Sequence, residues 1–178
     1  MARKLRIWFP GAIYHITARG NRRSILFHQR DDYLTYLDTL EFVRSTSPFI
    51  LHSYCLMTNH IHLQLETTNI PIQIIMKELH SRYAIHFNKK YDLDGHVFQG
   101  RYGAKLIDSH EYFLEVNRYI HRNPLEAEMV KDISSYEWSS YSAYLLKTEN
   151  PHICQQRTLS YFPEPFRENY QHFIEKEE

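Results

Sequence analysis

His60 and His62 stand two apart in Thr58-Asn59-His60-Ile61-His62-Leu63-Gln64-Leu65-Glu66, a stretch that alternates polar and apolar residues. As a β-strand it sends His60, His62, Gln64 and Glu66 to one face and Ile61, Leu63 and Leu65 to the other. At a rise of ~3.3 Å per residue the two histidine Cα atoms are ~7 Å apart, so both imidazoles can lean onto one divalent ion. Two imidazoles alone do not make a metal site, and a pair of hydrogen-bonded surface histidines has the same spacing. A third donor is needed from elsewhere in the fold, and Gln64, Glu66 and Asn123 are the available ones. A second pair, Tyr119 and Asn123, lies four apart in a helical pattern, so its side chains share one face. That pair can set a hydroxyl nucleophile beside an oxygen ligand; equally, Tyr119 can simply pack and Asn123 end the helix before Pro124.

The elements that must position these residues follow from periodicity. Residues 12 to 18 read as a first strand, and Arg19-Gly20-Asn21-Arg22-Arg23 as a loop with three guanidinium groups suited to phosphate. Tyr33, Leu34, Leu37, Leu40 and Phe42 are spaced for a helix opened by Asp31-Asp32. Phe49 to Met57 and the histidine stretch form a hairpin through Thr58-Asn59. After Pro71 a helical pattern runs to Lys89-Lys90, and Ala104 to Ile107 supply a fourth strand. Strand, helix, strand, strand, helix, strand is the ferredoxin-like (RRM-like) order, an α+β fold with a four-stranded antiparallel sheet. Asp108-Ser109 then opens a helix over residues 110–122 that Asn123-Pro124 should stop. On it Tyr112, Glu115, Tyr119 and Asn123 share a face opposite Phe113, Val116 and Ile120. Residues 1–147 are expected to form the main domain and 148–178 a C-terminal extension of loop plus short helix.

Composition constrains the setting. The sequence is 43% hydrophobic and 24% charged, with no apolar run approaching a membrane span and no signal-like start, which points to a cytoplasmic protein. Cys55 and Cys154 have no partner at metal-clip spacing and are expected to be free thiols. The zero net charge hides an asymmetry: residues 1–125 carry 16 Lys+Arg against 11 Asp+Glu, net +5, and residues 126–178 carry 5 against 10, net −5. The first part, which includes a basic arm at Arg3, Lys4 and Arg6, suits a polyanion. Phosphate-backbone candidates are Arg19, Arg22, Arg23, Lys89, Lys90, Arg101 and Lys105; Tyr14, Phe98 and Tyr102 are candidates for base stacking.

Taken together, the two pairs resemble a known constellation. His60-Ile61-His62, followed by Tyr119-Ile120-His121-Arg122-Asn123-Pro124, resembles the single-tyrosine HUH transposases of insertion sequences, and most closely the REP-associated tyrosine transposases. The matching segments are Phe9 to Asn21, Tyr54 to Leu63, Phe98-Gln99-Gly100-Arg101-Tyr102, Tyr119 to Pro124 and Trp138-Ser139-Ser140-Tyr141, in family order. The resemblance implies that His60, His62 and Asn123 bind Mg2+ or Mn2+. It implies that Tyr119 cuts one DNA strand as a covalent nucleophile, and that the partner is single-stranded DNA, with hairpin-forming repeats as its source. Tyr112 competes for the nucleophile role but has no ligand-capable residue four positions on. His121 points away from Tyr119 around the helix, whereas Glu115 is better placed to act on the phenol. Related transposases exchange the tyrosine helix in dimers; the added C-terminal segment here leans toward a monomer. The alternatives are a non-catalytic nucleic-acid binder and a metal phosphoesterase without a tyrosyl intermediate.

Overall fold

The computed structural model describes residues 7–176, so the basic arm at Arg3, Lys4 and Arg6 lies outside the described residues. Four strands, β1 (Ile13–Arg19), β2 (Phe49–Met57), β3 (His60–Thr67) and β4 (Gly103–Ile107), form an antiparallel sheet in the order β2-β3-β1-β4. Helix α1 (Arg30–Thr46) joins β1 to β2, and α2 (Ile72–Tyr91) joins β3 to β4. The ferredoxin-like order read from the sequence is therefore the one observed. Both helices cover the sheet face that carries Tyr14, Ile16, Ile61, Leu63 and Leu65, and bury Tyr36, Leu40, Ile75, Leu79 and Tyr83 against it.

Strand alternation sends the other residues of β1 and β3 to the opposite face. There α3 (His110–Glu126) lies across the sheet, packing Phe113, Val116 and Ile120 on Ile13, Cys55, Met57 and Ile107. Ser109 caps it, its hydroxyl accepting from Tyr112 N at 3.1 Å. The helix does not stop at Asn123-Pro124 as expected. Pro124 removes one donor, but Ala127 N still donates to Asn123 O at 3.0 Å and the helix continues to Glu126. Asn123 is thus an interior helical residue whose side chain is free to face the sheet.

The free edge of β2 is covered by later chain. Leu56 N donates to Trp138 O and Ser140 N to Tyr54 O, at 2.9 and 3.0 Å, and Cys154 N donates to Leu51 O at 2.8 Å. Such pairing removes an exposed strand edge. Short helices α4 (Tyr141–Tyr144) and α5 (Gln156–Leu159) lead to α6 (Phe166–Glu175), which returns to the back of α3. Tyr170 on α6 is fully buried; its hydroxyl donates to Asn117 Oδ1 and pairs with His121 Nδ1, both at 2.7 Å. Arg122 adds a bond to Ile174 O at 3.0 Å. The C-terminal segment consequently clamps the helix that carries Tyr119. No helix of the described residues is long and apolar enough to cross a membrane.

Candidate active site

Antiparallel pairing of β1 with β3 sets Arg19 opposite His60 and Thr17 opposite His62. All four residues line a pocket of about 450 Å3, together with Gln99, Gly100, Arg101 and Gly103 from the β4 side and Tyr119 and Asn123 from α3. Gly103 permits this closeness, because a Cβ there would stand 2.6 Å from Thr17 Oγ1. The one-turn step from Tyr119 to Asn123 brings both side chains over the histidines. Tyr119 is 43% exposed, so a substrate can reach its hydroxyl. Its ring meets that of His62 edge-on at 5.3 Å.

Burial favours the neutral form of both histidines. Burial, with the charges of His15, His60 and Arg19 nearby, pushes the His62 pKa down to about 3. Burial also lowers that of His60; Arg19 adds to the effect and the Asn123 contact opposes it. Neutral imidazole is the form that ligates a metal.

His60 has an amide oxygen at each ring nitrogen: Asn59 Oδ1 at 2.7 Å from Nδ1 and Asn123 Oδ1 at 3.1 Å from Nε2. A neutral imidazole carries one N–H and can satisfy only one of them. Whichever ring nitrogen carries the proton, the other turns a lone pair toward an amide oxygen. Two ligand atoms at right angles on an octahedral ion at 2.0–2.1 Å stand about 3 Å apart. The His60–Asn123 separation fits that edge. Among the described residues there is no group of three or more His, Cys, Asp and Glu that could hold a metal, so any third protein donor beside His60 and His62 would be an amide or hydroxyl oxygen. Two imidazoles and an amide oxygen could hold a divalent ion and leave its other positions to water or phosphate oxygens.

The other two donors considered for the third position are engaged elsewhere. Gln64 is fully buried; its Oε1 accepts from Ser53 Oγ and Asn117 Nδ2, both at 3.0 Å, and its Nε2 donates to Phe113 O at 2.8 Å. Glu66, at the far end of β3, pairs with His52 at 2.8 Å and Arg157 at 3.0 Å. Tyr112 lies away from the pocket under Lys105, whose Nζ is 4.3 Å from its ring centre. Glu115 is exposed on α3, and His121 is fully buried and bonded to Ser140 Oγ at 2.7 Å as well as to Tyr170.

Of the residues expected to hold phosphate, Arg19 and Arg101 line the pocket. Arg22 and Arg23 follow Arg19 in an exposed turn with left-handed φ of 53° and 63°. Lys105 is exposed at the β4 edge, paired across the sheet with His15. Lys89 and Lys90 lie on the other side of the sheet, at the end of α2. Lys90 is bound at 2.7 Å to Asp32. Tyr14, Phe98 and Tyr102 are 2%, 8% and 7% exposed and belong to the core under α1 and α2, so they offer no stacking surface in this conformation. Sequence reasoning passed over two contributors to the pocket wall, Thr17 and Gln99, and a third histidine, His15. His15 lies on β1, with Nε2 3.0 Å from His62 Nδ1 and its ring edge-on to Tyr119 at 5.6 Å. Strand alternation alone puts His15, Thr17 and Arg19 on one face, but only the pairing with β3 shows that this is the histidine face.

A family model described as "Transposase IS200 like" matches residues 9–123, spanning the sheet, both histidines, Tyr119 and Asn123. The chain belongs to the IS200-like transposase family. Among solved structures, a REP-associated tyrosine transposase bound to a REP hairpin is similar over 86% of this chain and 98% of its own, with TM-score 0.71 and 17% identity. At that identity the likeness speaks for the fold. A crystal structure assigned as a transposase of Deinococcus radiodurans R1 covers 72% of this chain and 95% of its own, with TM-score 0.45 and 18% identity. A search of curated proteins gives no significant sequence match. In this IS200-like transposase the family-matched region contains the residues of β1, β3 and α3 that line the pocket.

Proposed function

We propose that this IS200-like transposase nicks and rejoins single-stranded DNA through a covalent phosphotyrosine. Tyr119 is the nucleophile, and His60, His62 and Asn123 hold Mg2+ or Mn2+. The observation that carries the reading is the convergence, within one chain, of Tyr119 with His62 at 5.3 Å between rings and of Asn123 Oδ1 with His60 Nε2 at 3.1 Å. A bound divalent ion would polarise the scissile phosphate and offset the charge that develops on it. The chain supplies the rest. Tyr119 Oη forms a bond to phosphorus as the P–O3′ bond breaks, the phenol loses its proton and the departing 3′ oxygen gains one. Arg19 and Arg101, on the pocket wall, pair with the flanking phosphates. The phosphotyrosine keeps the energy of the cleaved diester, so a 3′-hydroxyl can reattack and join strands without ATP.

The partner is single-stranded DNA next to a hairpin. Support comes from the net +5 of residues 1–125 and from the similar structure, which was solved with a REP hairpin. The chain acts in the cytoplasm, with its own tyrosine, as a monomer; support for the monomer comes from α6, which binds the back of α3 through Tyr170 and Arg122 in the same chain. The test uses labelled hairpin oligonucleotides with single-stranded flanks, taken from inverted repeats beside the gene, incubated with Mn2+. Cleavage with a protein–DNA adduct that Tyr119→Phe abolishes is expected. Cleavage surviving Tyr119→Phe would instead indicate hydrolysis without a tyrosyl intermediate. Chelator-insensitive binding without cleavage would indicate a binding protein.

A further inference from the structure

Beside His62 lies a third histidine with no part in the ligand set. Across the β1–β3 ladder His15 pairs with Gln64 and Thr17 with His62, so His15 is the diagonal neighbour of His62 on the pocket face. Diagonal side chains on paired strands come within reach when they are long or aromatic. The two imidazoles lie 5.3 Å apart between ring centres with planes tilted by 28°, and His15 Nε2 stands 3.0 Å from His62 Nδ1. At that distance the two nitrogens share one proton.

Where the proton sits decides what His62 can do. On His15 Nε2, it makes His62 Nδ1 the acceptor; neutral His62 then carries its own proton on Nε2 and has no lone pair left to ligate. On His62 Nδ1, it leaves the His62 Nε2 lone pair free. Nδ1 faces His15, so Nε2 is the ring nitrogen available to a ligand, and His15 Nε2 is the acceptor the structure provides for Nδ1–H. The nearby charged groups cannot take over that role, because Arg19 and Lys105 are donors only.

We propose that His15 is a positioning residue for the catalytic pocket: by accepting a hydrogen bond from His62 Nδ1, it fixes the tautomer and orientation in which His62 Nε2 can ligate. The inference rests on reading His62 as a metal ligand. Partners of this kind orient ligating histidines, and their loss costs about 10- to 100-fold in metal affinity.

Three variants separate acceptance of the proton from mere filling of space. In His15→Gln the amide oxygen falls near the place of Nε2 and can accept. In His15→Leu nothing accepts, and in His15→Lys only a donor is offered. Mn2+ affinity, measured by calorimetry and by electron paramagnetic resonance, should remain within about threefold of wild type for His15→Gln. It should fall by about 10- to 100-fold for His15→Leu and at least as far for His15→Lys. Nitrogen-15 spectra of the metal-free protein, which report the tautomer independently of any ion, should show His62 protonated at Nδ1 in wild type and His15→Gln but not held so in His15→Leu. Equal Mn2+ affinity for wild type and a folded His15→Leu would overturn the proposal, as would a wild-type His62 protonated at Nε2. Failure of wild type itself to bind Mn2+ would overturn the ligand set instead, with the tautomer still read from the spectra.

Discussion

Replacing Asn123 by alanine removes the amide oxygen that stands 3.1 Å from His60 Nε2. On the proposed ligand set, three protein donors then become two. Loss of a residue that merely orients a ligand weakens metal binding about 10- to 100-fold, so loss of a direct ligand should cost at least that, or about 1.4–2.8 kcal/mol. Asn123→Asp changes the sign of the effect. It keeps an oxygen in place and adds a negative charge, and unit charges about 4 Å apart at an effective dielectric of about 20 interact by about 4 kcal/mol. Part of that offsets desolvation of the new carboxylate, so Asn123→Asp should bind Mn2+ at least as tightly as wild type. Titration calorimetry with Mn2+ on folded protein ranks the three chains. The expected order is Asp at least equal to Asn, and both well above Ala. Equal affinity for Ala and Asn would refute the convergence of His60 and Asn123 on one ion.

Other residues give independent tests. Asp32 is 1% exposed and accepts from Lys90 Nζ, Tyr91 Oη and His28 N at 2.7 Å and Gln29 N at 3.0 Å. Burial by itself would raise its pKa, but the hydrogen bonds from Lys90, Tyr91 and the backbone outweigh it and hold the carboxyl below its ordinary value. Its stabilising effect is therefore present above the unfolded-state pKa of about 3.9 and is lost as pH falls through the lower folded value. Asp32→Asn should cost roughly 2–3 kcal/mol at pH 7 by urea unfolding, with the gap to wild type closing in strong acid. Arg101→Ala should weaken single-stranded DNA binding and reduce the slope of log K against log[salt] by about 0.7, whereas Lys90→Ala should leave that slope unchanged. Tyr170→Phe removes the hydroxyl shared by buried Asn117 and His121 and should destabilise the protein by about 1–3 kcal/mol in thermal or urea unfolding.

Much of this architecture is visible in single-residue patterns, and the parts that are not have a common physical cause. Alternation from His60 to Glu66 assigned the faces of β3 because a strand has no other way to place successive side chains. The run from Phe49 to Met57 coincides with β2. The end of α3 was not legible: Pro124 carries a stop signal, but the helix tolerates one missing donor while Asn123 O and Pro124 O still accept from Ala127 and Met129. Composition gave no means of separating core aromatics from surface ones, so Tyr14, Phe98 and Tyr102 looked like stacking residues until packing buried them. Lys90 looked like a free cation because its partner, Asp32, lies 58 residues away and meets it only where α1 and α2 pack together. His15 has the same history, since its neighbour His62 is fixed by strand register. Tyr119 and Asn123 were legible because both sit on one helix, where a four-residue step defines a face.

The most direct measurement is to trap the adduct. Wild-type protein, Mn2+ and a 5′- or 3′-labelled hairpin oligonucleotide from the gene's flanking repeats should give a denaturant-stable protein–DNA species. Its single modified residue, located by mass spectrometry of the digested adduct, should be Tyr119. A covalent adduct on any other residue, or cleavage by Tyr119→Phe at the wild-type rate, would contradict the account.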